Sequence, residues 1–186
     1  MTDLLEFRTL GRDQVAATAG DFVAVAAEVY AAPPYGWDDE QASRFADRFT
    51  VQRRQPGFVL AEARHGDYLV GYAFGLPLRP STDWWRHLTT SVAATVTTEH
   101  QGRTFALADL AVRAPWRRQR IGSTLHDLVL ADRGEERATA AVLTQASAAQ
   151  SACQSWGWHK IARRQEPAAS APIFDLLLRE LPTSLM

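Results

Sequence analysis

A short basic segment in the middle of the chain is the first candidate for chemistry. Three arginines follow an apolar run of strand length and precede residues with helical spacing: Arg117, Arg118 and Arg120. The first turn of a helix has unpaired N–H groups and a partial positive charge, and arginines add charged donors, so an anion can bind there. Ser123 and Thr124 can either cap this helix or bond the same anion. The segment therefore favours a phosphate ligand.

Two familiar phosphate-binding loops do not fit this segment. The chain has no Gly-Lys-Ser or Gly-Lys-Thr of a nucleotide P-loop. No Gly-x-Gly-x-x-Gly follows an early strand, as a dinucleotide-binding fold requires. A nucleoside triphosphate or NAD site is therefore disfavoured.

Strands and helices that would position the basic segment alternate along the whole chain. Apolar alternation and short apolar runs predict strands over 5–10, 58–63, 68–75, 105–112, 138–144, 159–165 and 173–178. Helical spacing predicts helices over 13–30, about 39–53, from the basic loop toward 134, and 146–155. Residues 77–102 read as a long functional loop with room for a short helix. The pattern is typical of an α/β (α+β) fold, and we expect one domain over residues 1–186 because no linker or repeat divides it.

Composition sets the broad class of protein. The 186 residues are 46% hydrophobic and 22% charged, with a net charge of -1, which is ordinary for a globular domain and excludes a disordered or fibrous chain. A nearly neutral chain offers no general attraction for phosphate backbones, so no nucleic-acid partner is expected. Apolar stretches end well before the roughly 20 residues that a bilayer-spanning helix needs, so no membrane partner is expected.

The compartment is predicted from cysteine and from the first residues. A single cysteine, Cys153, cannot form an internal disulfide, and residues 1–20 lack a basic segment followed by an apolar run. These features predict a cytoplasmic protein. All basic residues other than histidine are arginine except Lys160, and alanine is abundant, which suggests a bacterial, GC-rich coding bias.

The loop after residue 112 resembles the signature of the GNAT superfamily of acyl-CoA-dependent N-acyltransferases. That signature is Gln/Arg-x-x-Gly-x-Gly/Ala between the fourth strand and the third helix. Here Arg117 occupies its first position, Arg120 its middle glycine position and Gly122 its last. The order of elements is similar to the family's over almost the whole chain. The resemblance implies a mixed central sheet of about six to seven strands flanked by about four helices.

A second stretch is similar to the family's Ala-x-x-x-Tyr-x-x-x-Gly-Phe pattern. Residues 149–158 match its spacing, with Cys153 at the tyrosine position and Trp158 at the phenylalanine position. In many members that tyrosine is taken as the acid that protonates the departing coenzyme A thiolate. The resemblance leaves a Cys153 thiol or water as the acid in this chain.

The resemblance also implies acetyl-CoA as co-substrate and no metal. Backbone N–H groups at a break in the fourth strand would bond the thioester carbonyl and the pantetheine arm, and the following loop would surround the pyrophosphate with amides. The implied coenzyme-binding residues are Leu110, Ala111, Val112, Arg117, Arg118, Gln119, Arg120, Ile121, Gly122, Ser123 and Thr124.

Acetyl transfer to an amine also needs side chains that handle protons. Asp109, in an apolar strand just ahead of the loop, is the first candidate base; alternatively it faces solvent or pairs with an arginine. Glu99, in the long loop, is the second candidate, with a solvated side chain as the alternative. Cys153 could donate a proton or carry an acyl group transiently, or it could be a small buried residue of an alanine-rich helix.

Aromatic residues lie in the two loops that border the acceptor cleft in the family: Tyr30, Tyr35, Trp37, Trp84 and Trp85. They suggest an amphipathic or aromatic primary amine as acceptor, with core packing as the alternative. Nearby acidic residues could instead attract a polycation, or they could cap helices: Asp38, Asp39, Glu40 and Asp83.

The function implied by the resemblance is an N-acetyltransferase that moves an acetyl group from acetyl-CoA to a small-molecule primary amine by direct transfer in a ternary complex. One alternative is acetylation of a protein or peptide amino group. Another is a non-catalytic acyl-CoA-binding regulatory domain, suggested by Arg120 and Cys153 at the signature positions. The oligomeric state is left open, with a homodimer as one arrangement.

Overall fold

Strands and helices alternate along the chain in the order that the sequence predicts. The computed structural model describes residues 4–168 and 170–182, so residues 1–3, 169 and 183–186 of the predicted domain range 1–186 lie outside the described residues. The described residues form these strands: β1 (Leu5–Leu10), β2 (Val59–His65), β3 (Tyr68–Pro77), β4 (Thr104–Val112), β5 (Arg137–Leu143), β6 (His159–Gln165) and β7 (Ile173–Glu180). They form these helices: α1 (Arg12–Ala17), α2 (Ala19–Ala31), α3 (Asp39–Gln52), α4 (Ala94–Thr97), α5 (Ile121–Leu130) and α6 (Ser147–Ser155).

The described residues contain six helices where about four were expected. The stretch predicted as one helix over 13–30 forms α1 and α2 because Thr18 leaves helical geometry, with φ -121° and ψ 18°. The other addition is α4, a four-residue helix within the predicted long loop. Both differences concern short elements, which hydrophobic spacing resolves poorly.

The strands form one mixed sheet in the order β1-β2-β3-β4-β5-β7-β6. Antiparallel pairing joins β1 to β2, β2 to β3, β5 to β7 and β7 to β6. β4 runs parallel to β5 over Thr104–Ala106. The predicted α/β fold with a mixed sheet of six to seven strands is therefore confirmed.

The chain groups into two compact units. Unit 1 comprises Met1–Leu76 and Leu107–Ala131, and unit 2 comprises Pro77–Ala106 and Asp132–Met186. Strand β4 contributes its first residues to unit 2 and the rest to unit 1. None of the helices in the described ranges is long and apolar enough to cross a membrane.

The core of unit 1 is mainly aromatic. Phe22 of α2, Phe45 and Phe49 of α3, and Tyr72 and Phe74 of β3 are each no more than 2% exposed. Their rings contact one another edge-on, tilted or stacked, for example Phe22 and Tyr72 at 5.6 Å between centroids. Such ring pairs add to the stabilisation from apolar burial. This core holds α2 and α3 against the β1–β3 part of the sheet.

Helix α3 begins where the sequence predicts because Asp38 caps it. The Asp38 side chain accepts the N–H groups of Glu40 at 2.9 Å and Gln41 at 3.0 Å, and the Gln41 side chain accepts the Asp38 N–H at 2.9 Å. This reciprocal capping box satisfies donors that the first turn leaves unpaired. Of the two roles considered for Asp38, the structure therefore shows the helix cap.

In unit 2 the long loop pairs with the edge strand β6. The Thr89 N–H donates to the Arg163 carbonyl at 2.9 Å, and the Gln165 N–H donates to the His87 carbonyl at 3.1 Å. An exposed strand edge presents unpaired backbone groups, which this loop partly satisfies. The long loop is thus anchored to the sheet.

Gly71 allows β3 and β4 to approach closely in unit 1. A Cβ atom at this position would lie 2.8 Å from the backbone carbonyl oxygen of Ala111 and 3.2 Å from Cγ2 of Val112. Backbone atoms of a central strand cannot move away as a flexible side chain can. Glycine at position 71 is therefore needed for the position of the last residues of β4.

We predict that Gly71→Ala destabilises the protein by about 1 to 3 kcal/mol, because the added methyl group must displace β4. The measurement is urea unfolding at constant pH. Gly20→Ala is the matched control: it lies in α2 with open space around the new methyl group, and alanine is the better helix former. Equal stability of Gly71→Ala and wild type would contradict the close approach.

Candidate active site

The Asp109 carboxylate of β4 receives two phenol hydrogen bonds within unit 1. Tyr30 of α2 donates its hydroxyl hydrogen to Oδ1, and Tyr72 of β3 donates to Oδ2, each at 2.5 Å. The Tyr30 hydroxyl also lies 3.1 Å from the Leu110 carbonyl oxygen. Asp109 is only half-buried. We call Tyr30, Tyr72 and Asp109 the phenol–carboxylate cluster.

Burial dominates the ionisation of this cluster. Burial raises the pKa of Asp109 above its ordinary value, while the hydrogen bonds from Tyr30 and Tyr72 and the charge of Arg48 oppose that rise. Burial, together with the negative charge of Asp109, raises the pKa of each tyrosine well above its ordinary value. Both phenols therefore remain protonated donors at neutral pH, and Asp109 is a more basic carboxylate than an exposed one.

Aromatic rings extend the cluster along the segment that follows α2. The Tyr30 ring contacts the Tyr35 ring at 4.7 Å and the Trp37 ring at 4.6 Å between centroids, and Trp37 contacts Phe45 at 5.7 Å. Tyr30 is 7% exposed, whereas Tyr35 and Trp37 are partly exposed. The three residues are brought together: Tyr30 bonds Asp109, and Tyr35 and Trp37 pack against Tyr30 and extend the core. Their acceptor-binding role stays a prediction.

The basic loop follows β4 and takes up a backbone conformation that suits glycine. After the short 3-10 turn Ala114–Trp116, Arg118 has φ 61° and Arg120 has φ 63°. Residues with a Cβ atom pay about 1 to 2 kcal/mol in this left-handed region. Arg120, at the middle glycine position of the signature, therefore keeps the glycine-like conformation. Arg117, Arg118 and Arg120 are all exposed.

Helix α5 begins immediately after Arg120. The Ser123 and Thr124 hydroxyls donate to the Arg120 carbonyl oxygen at 2.8 Å and 3.1 Å, and the Thr124 N–H donates to it at 3.0 Å. The hydroxyls thus bond the backbone at the helix start. The amides of Ile121, Gly122 and their neighbours in the first turn have no carbonyl one turn earlier in the helix, so they can meet an anion.

A hydrogen bond joins the loop to the end of β4. Arg117 Nε donates to the Val112 carbonyl oxygen at 3.0 Å, and the Arg113 N–H donates to the Val70 carbonyl oxygen at 2.9 Å. Leu110, Ala111 and Val112 are the last residues of β4. The carboxylate and the basic loop are therefore parts of one continuous, hydrogen-bonded stretch of unit 1. Their coenzyme-binding roles remain predictions.

In unit 2, Glu99 is buried in an ion pair. Its Oε1 accepts Arg137 Nη2 at 3.0 Å, Trp85 Nε1 at 2.9 Å and the Thr104 hydroxyl at 2.9 Å. The Glu99 side chain is 1% exposed and that of Arg137 is 7% exposed. The solvated alternative for Glu99 is therefore wrong: the chain folds its long loop so that Glu99 meets Arg137 of β5.

The two loop tryptophans hydrogen-bond within unit 2. Trp84 Nε1 donates to the Thr139 hydroxyl at 3.1 Å, and Trp85 Nε1 donates to Glu99. The Arg164 guanidinium lies over the Trp84 ring at 5.3 Å. Both tryptophans are half-buried. These contacts hold the loop in place, and an acceptor-binding role for Trp84 and Trp85 stays a prediction.

Cys153 lies on α6 of unit 2 and is 7% exposed. Burial raises the pKa of its thiol to about 11. At neutral pH the residue is therefore a thiol, which can donate a proton but is a poor nucleophile. This state agrees with a buried packing residue and with a proton donor, and it disfavours a transient acyl carrier.

Most of the acidic residues considered for a polycation already have other partners. Glu40 pairs with Arg44 at 2.5 Å, and Asp83 pairs with Arg86 at 3.2 Å. Asp39 lies in the first turn of α3, where a negative charge is favourable. These contacts favour helix-terminal and local ion-pair roles over a polycation site.

Sequence reasoning missed Tyr72 and Arg137. Tyr72 has the one hydroxyl in the buried part of β3, which could have marked it, but only the tertiary structure shows that it reaches Asp109. Arg137 lies 38 residues beyond Glu99.

Over the described ranges, His, Cys, Asp and Glu side chains form no group of three that could hold a metal ion.

We predict that the stability of wild type relative to Asp109→Asn decreases as pH rises. Because the folded pKa of Asp109 exceeds its ordinary value of 3.8, the native state binds more protons between those two pH values. The stabilisation is complete below the unfolded pKa and is lost as pH rises through the folded pKa, by at most about 1.4 kcal/mol per pH unit. Urea unfolding from pH 3.5 to 8 measures it.

Asp47→Asn, which removes an exposed carboxylate of α3, controls for the loss of one surface charge. A stability of wild type relative to Asp109→Asn that increases with pH would contradict the raised pKa of Asp109.

We predict that Arg120→Gly stabilises the protein by about 1 kcal/mol, because glycine adopts φ 63° without a Cβ clash. Arg117→Gly is the control: Arg117 has φ -71°, so glycine there adds freedom to the unfolded chain and also removes the Nε hydrogen bond to Val112, and it should cost about 1 to 2 kcal/mol. Thermal unfolding of both variants is the measurement. Destabilisation of both would show that Arg120 stabilises the loop through its side chain.

Comparison with known proteins matches this arrangement to a known fold. The family model described as Acetyltransferase (GNAT) family matches residues 22–158. No curated protein matches the sequence significantly.

Solved structures share the whole architecture at low identity. A protein from Desulfovibrio desulfuricans described as a GNAT-family acetyltransferase has a TM-score of 0.66 and 16% identity, over 96% of this chain and 100% of that one. A ribosomal-protein alanine N-acetyltransferase from Escherichia coli has a TM-score of 0.61 and 14% identity, over 98% and 96%. The PaiA N-acetyltransferase from Thermoplasma acidophilum, solved with coenzyme A, has a TM-score of 0.61 and 12% identity, over 95% and 99%.

These structures show the same fold, and the family match covers most of the chain, including the phenol–carboxylate cluster and the basic loop. The chain belongs to the GNAT family of acetyltransferases.

Proposed function

We propose that this protein is an N-acetyltransferase that transfers an acetyl group from acetyl-CoA to the primary amine of a small molecule, directly in a ternary complex. We also propose that it acts as one domain over residues 1–186. We place it in a bacterial cytoplasm, where reducing conditions keep a single cysteine such as Cys153 as a free thiol. The observation that carries the proposal is the Asp109 carboxylate, hydrogen-bonded by two neutral phenols on the strand that leads into the basic loop.

The residues of the basic loop fit the anionic end of acetyl-CoA. Exposed arginines, a glycine-like backbone at Arg118 and Arg120, and the first-turn amides of α5 offer charge and N–H donors to a pyrophosphate. The PaiA N-acetyltransferase, with the same fold, was solved with coenzyme A. The loop would hold the pyrophosphate, with residues 110–112 facing the pantetheine arm.

Asp109 is the base that we assign, rather than Glu99. The carboxylate of Glu99 is paired with Arg137 and almost completely buried, so its charge is offset. Asp109 is bonded by neutral phenols, so its charge is left for an incoming ammonium group. A carboxylate made more basic by burial is also a better proton acceptor near neutral pH.

The proton balance follows from these assignments. Acetyl-CoA supplies the thioester carbon: the C–N bond to the amine forms as the C–S bond breaks, giving the N-acetylated amine and free coenzyme A. The ammonium nitrogen loses two protons. Asp109 accepts one and passes it to water, and water relays the other to the leaving sulfur, which becomes the thiol of coenzyme A. Burial raises the pKa of the Cys153 thiol to about 11, which makes it a weak acid, so water is the donor that we assign.

The aromatic segment favours a small amphipathic amine as acceptor. Tyr35 and Trp37 are partly exposed and lie against Tyr30, whose hydroxyl bonds Asp109. Aromatic faces attract ammonium groups and cover apolar substituents. A protein acceptor is the alternative, because the ribosomal-protein alanine N-acetyltransferase has the same fold.

We predict that acetyl-CoA binds the full chain in calorimetry, and that free thiol is released when an aromatic primary amine is added. Asp109→Asn should retain acetyl-CoA binding but lose about 100-fold or more in kcat, because it removes the base and not the loop. A panel of aromatic amines, polyamines and peptides identifies the acceptor class.

No binding at high micromolar acetyl-CoA would contradict the proposal. Binding without thiol release over the whole panel would favour a regulatory acyl-CoA-binding domain instead. Thiol release with peptides only would favour the protein acceptor.

A further inference from the structure

The phenol–carboxylate cluster engages the Asp109 carboxylate from two sides. Its two oxygens offer about four lone-pair directions in all. Tyr30 takes one direction on Oδ1 and Tyr72 takes one on Oδ2. The Leu110 backbone bonds the carboxylate as well, so one acceptor direction remains, while rotation of the carboxylate would break both phenol bonds. The two phenols thus limit Asp109 to one orientation.

The tyrosines are themselves held firmly. Tyr72 is fully buried in β3, and its ring lies edge-on against Phe22 at 5.6 Å. Tyr30 is 7% exposed and packs against Tyr35 and Trp37. A donor fixed by packing loses little side-chain entropy when it forms its hydrogen bond.

The charges around Asp109 determine which kind of group its oriented carboxylate can bind. The groups that face it are Tyr30 from α2, Tyr72 from β3, the Leu110 backbone of its own strand and, through its charge, Arg48 of α3. Arg48 is exposed, and its guanidinium lies over the Phe45 ring at 5.6 Å. The hydrogen-bond donors from the two tyrosines are neutral, so they support an ionised carboxylate without cancelling its charge.

We infer that Tyr30 and Tyr72 are positioning residues, which hold Asp109 as an oriented anion so that it receives the acceptor as a primary ammonium cation. This inference rests on the proposed function for its catalytic consequence. It extends that function by naming the charge state of the acceptor and by giving Tyr72, otherwise a core residue, a role in the reaction.

The inference separates amines from alcohols. An ammonium group donates a hydrogen bond to the remaining acceptor direction of Asp109 and brings the opposite charge. A hydroxyl group of the same shape brings no charge, so the isosteric alcohol should compete with the amine at least roughly tenfold more weakly, since a hydrogen bond to a charged partner exceeds a neutral one by about that factor.

The test uses Tyr72→Phe and Tyr30→Phe in the full-length protein. Each change removes one hydroxyl and keeps the ring, so a donor that stabilises the ionised carboxylate is lost and the pKa of Asp109 rises further. We expect the acid limb of the kcat/KM profile to move to higher pH. The loss should be about tenfold near pH 6 and smaller near pH 8.5, mainly in kcat/KM.

A second readout does not need activity. Carbon-13 NMR of aspartate carboxyl groups, with the Asp109 signal assigned by its absence in Asp109→Asn, follows the titration directly. Both tyrosine variants should titrate at higher pH than wild type. Tyr68→Phe is the control, because Tyr68 is 49% exposed on β3 and contacts Arg113; it should leave the titration and the pH profile unchanged.

The outcomes separate the two proposals. If wild type binds no acetyl-CoA, the proposed function fails, but the NMR titration still decides whether the phenols control Asp109. If wild type is active and the folded Tyr72→Phe and Tyr30→Phe proteins keep the wild-type titration and profile, the positioning role is overturned. Equal competition by the amine and its isosteric alcohol would overturn the ammonium assignment.

Discussion

A carboxylate placed within an apolar strand must be given hydrogen bonds, and much of unit 1 is arranged around that constraint. An unsatisfied buried carboxylate would cost several kcal/mol. Asp109 avoids this cost through two phenols from different elements, one on α2 and one on β3. Their rings belong to the aromatic core, so the packing that stabilises the fold also orients the polar group. Gly71 contributes by letting β3 and β4 approach closely beside Tyr72.

Glu99 and Asp109 show how the charge of the hydrogen-bond donors determines whether a carboxylate is structural or free to bind a ligand. Glu99 is almost fully buried, but Arg137 neutralises it and Trp85 and Thr104 bond the same oxygen. The result is a structural ion pair that connects the long loop to β5 and β4 within unit 2. Asp109 is bonded by neutral donors, so its charge remains for a ligand. The charge of the hydrogen-bond donors, cationic for Glu99 and neutral for Asp109, distinguishes the two carboxylates.

The basic loop shows backbone conformation retained under a change of side chain. Arg120 occupies a signature glycine position and still has φ 63°. The left-handed conformation is therefore imposed by the strand-to-helix connection, and arginine accepts its cost. The arginine also adds a positive charge at the start of α5, where the helix dipole already favours an anion. The loss of glycine has changed the electrostatics more than the path of the chain.

Local patterns in the sequence determined most of the elements. Alternation and helical spacing predicted all seven strands and the four main helices, and Asp38 predicted the start of α3, because these features depend on near neighbours and on the apolar face that each element must bury. The arginines before α5 likewise indicated an anion site, because the chemistry of a helix start is local. The split at Thr18 was missed because only one residue departs from helical geometry.

Pairing between distant residues was decided by the tertiary structure. Tyr72 reaches Asp109 from 37 positions away and Tyr30 from 79, and Arg137 reaches Glu99 from 38. Sequence alone ranked Asp109 first and Glu99 second as candidate bases, without showing the partners of either carboxylate. Which one keeps its charge depends on the side chains that strand pairing and helix packing bring to it, and those neighbours are set by the global fold rather than by spacing along the chain.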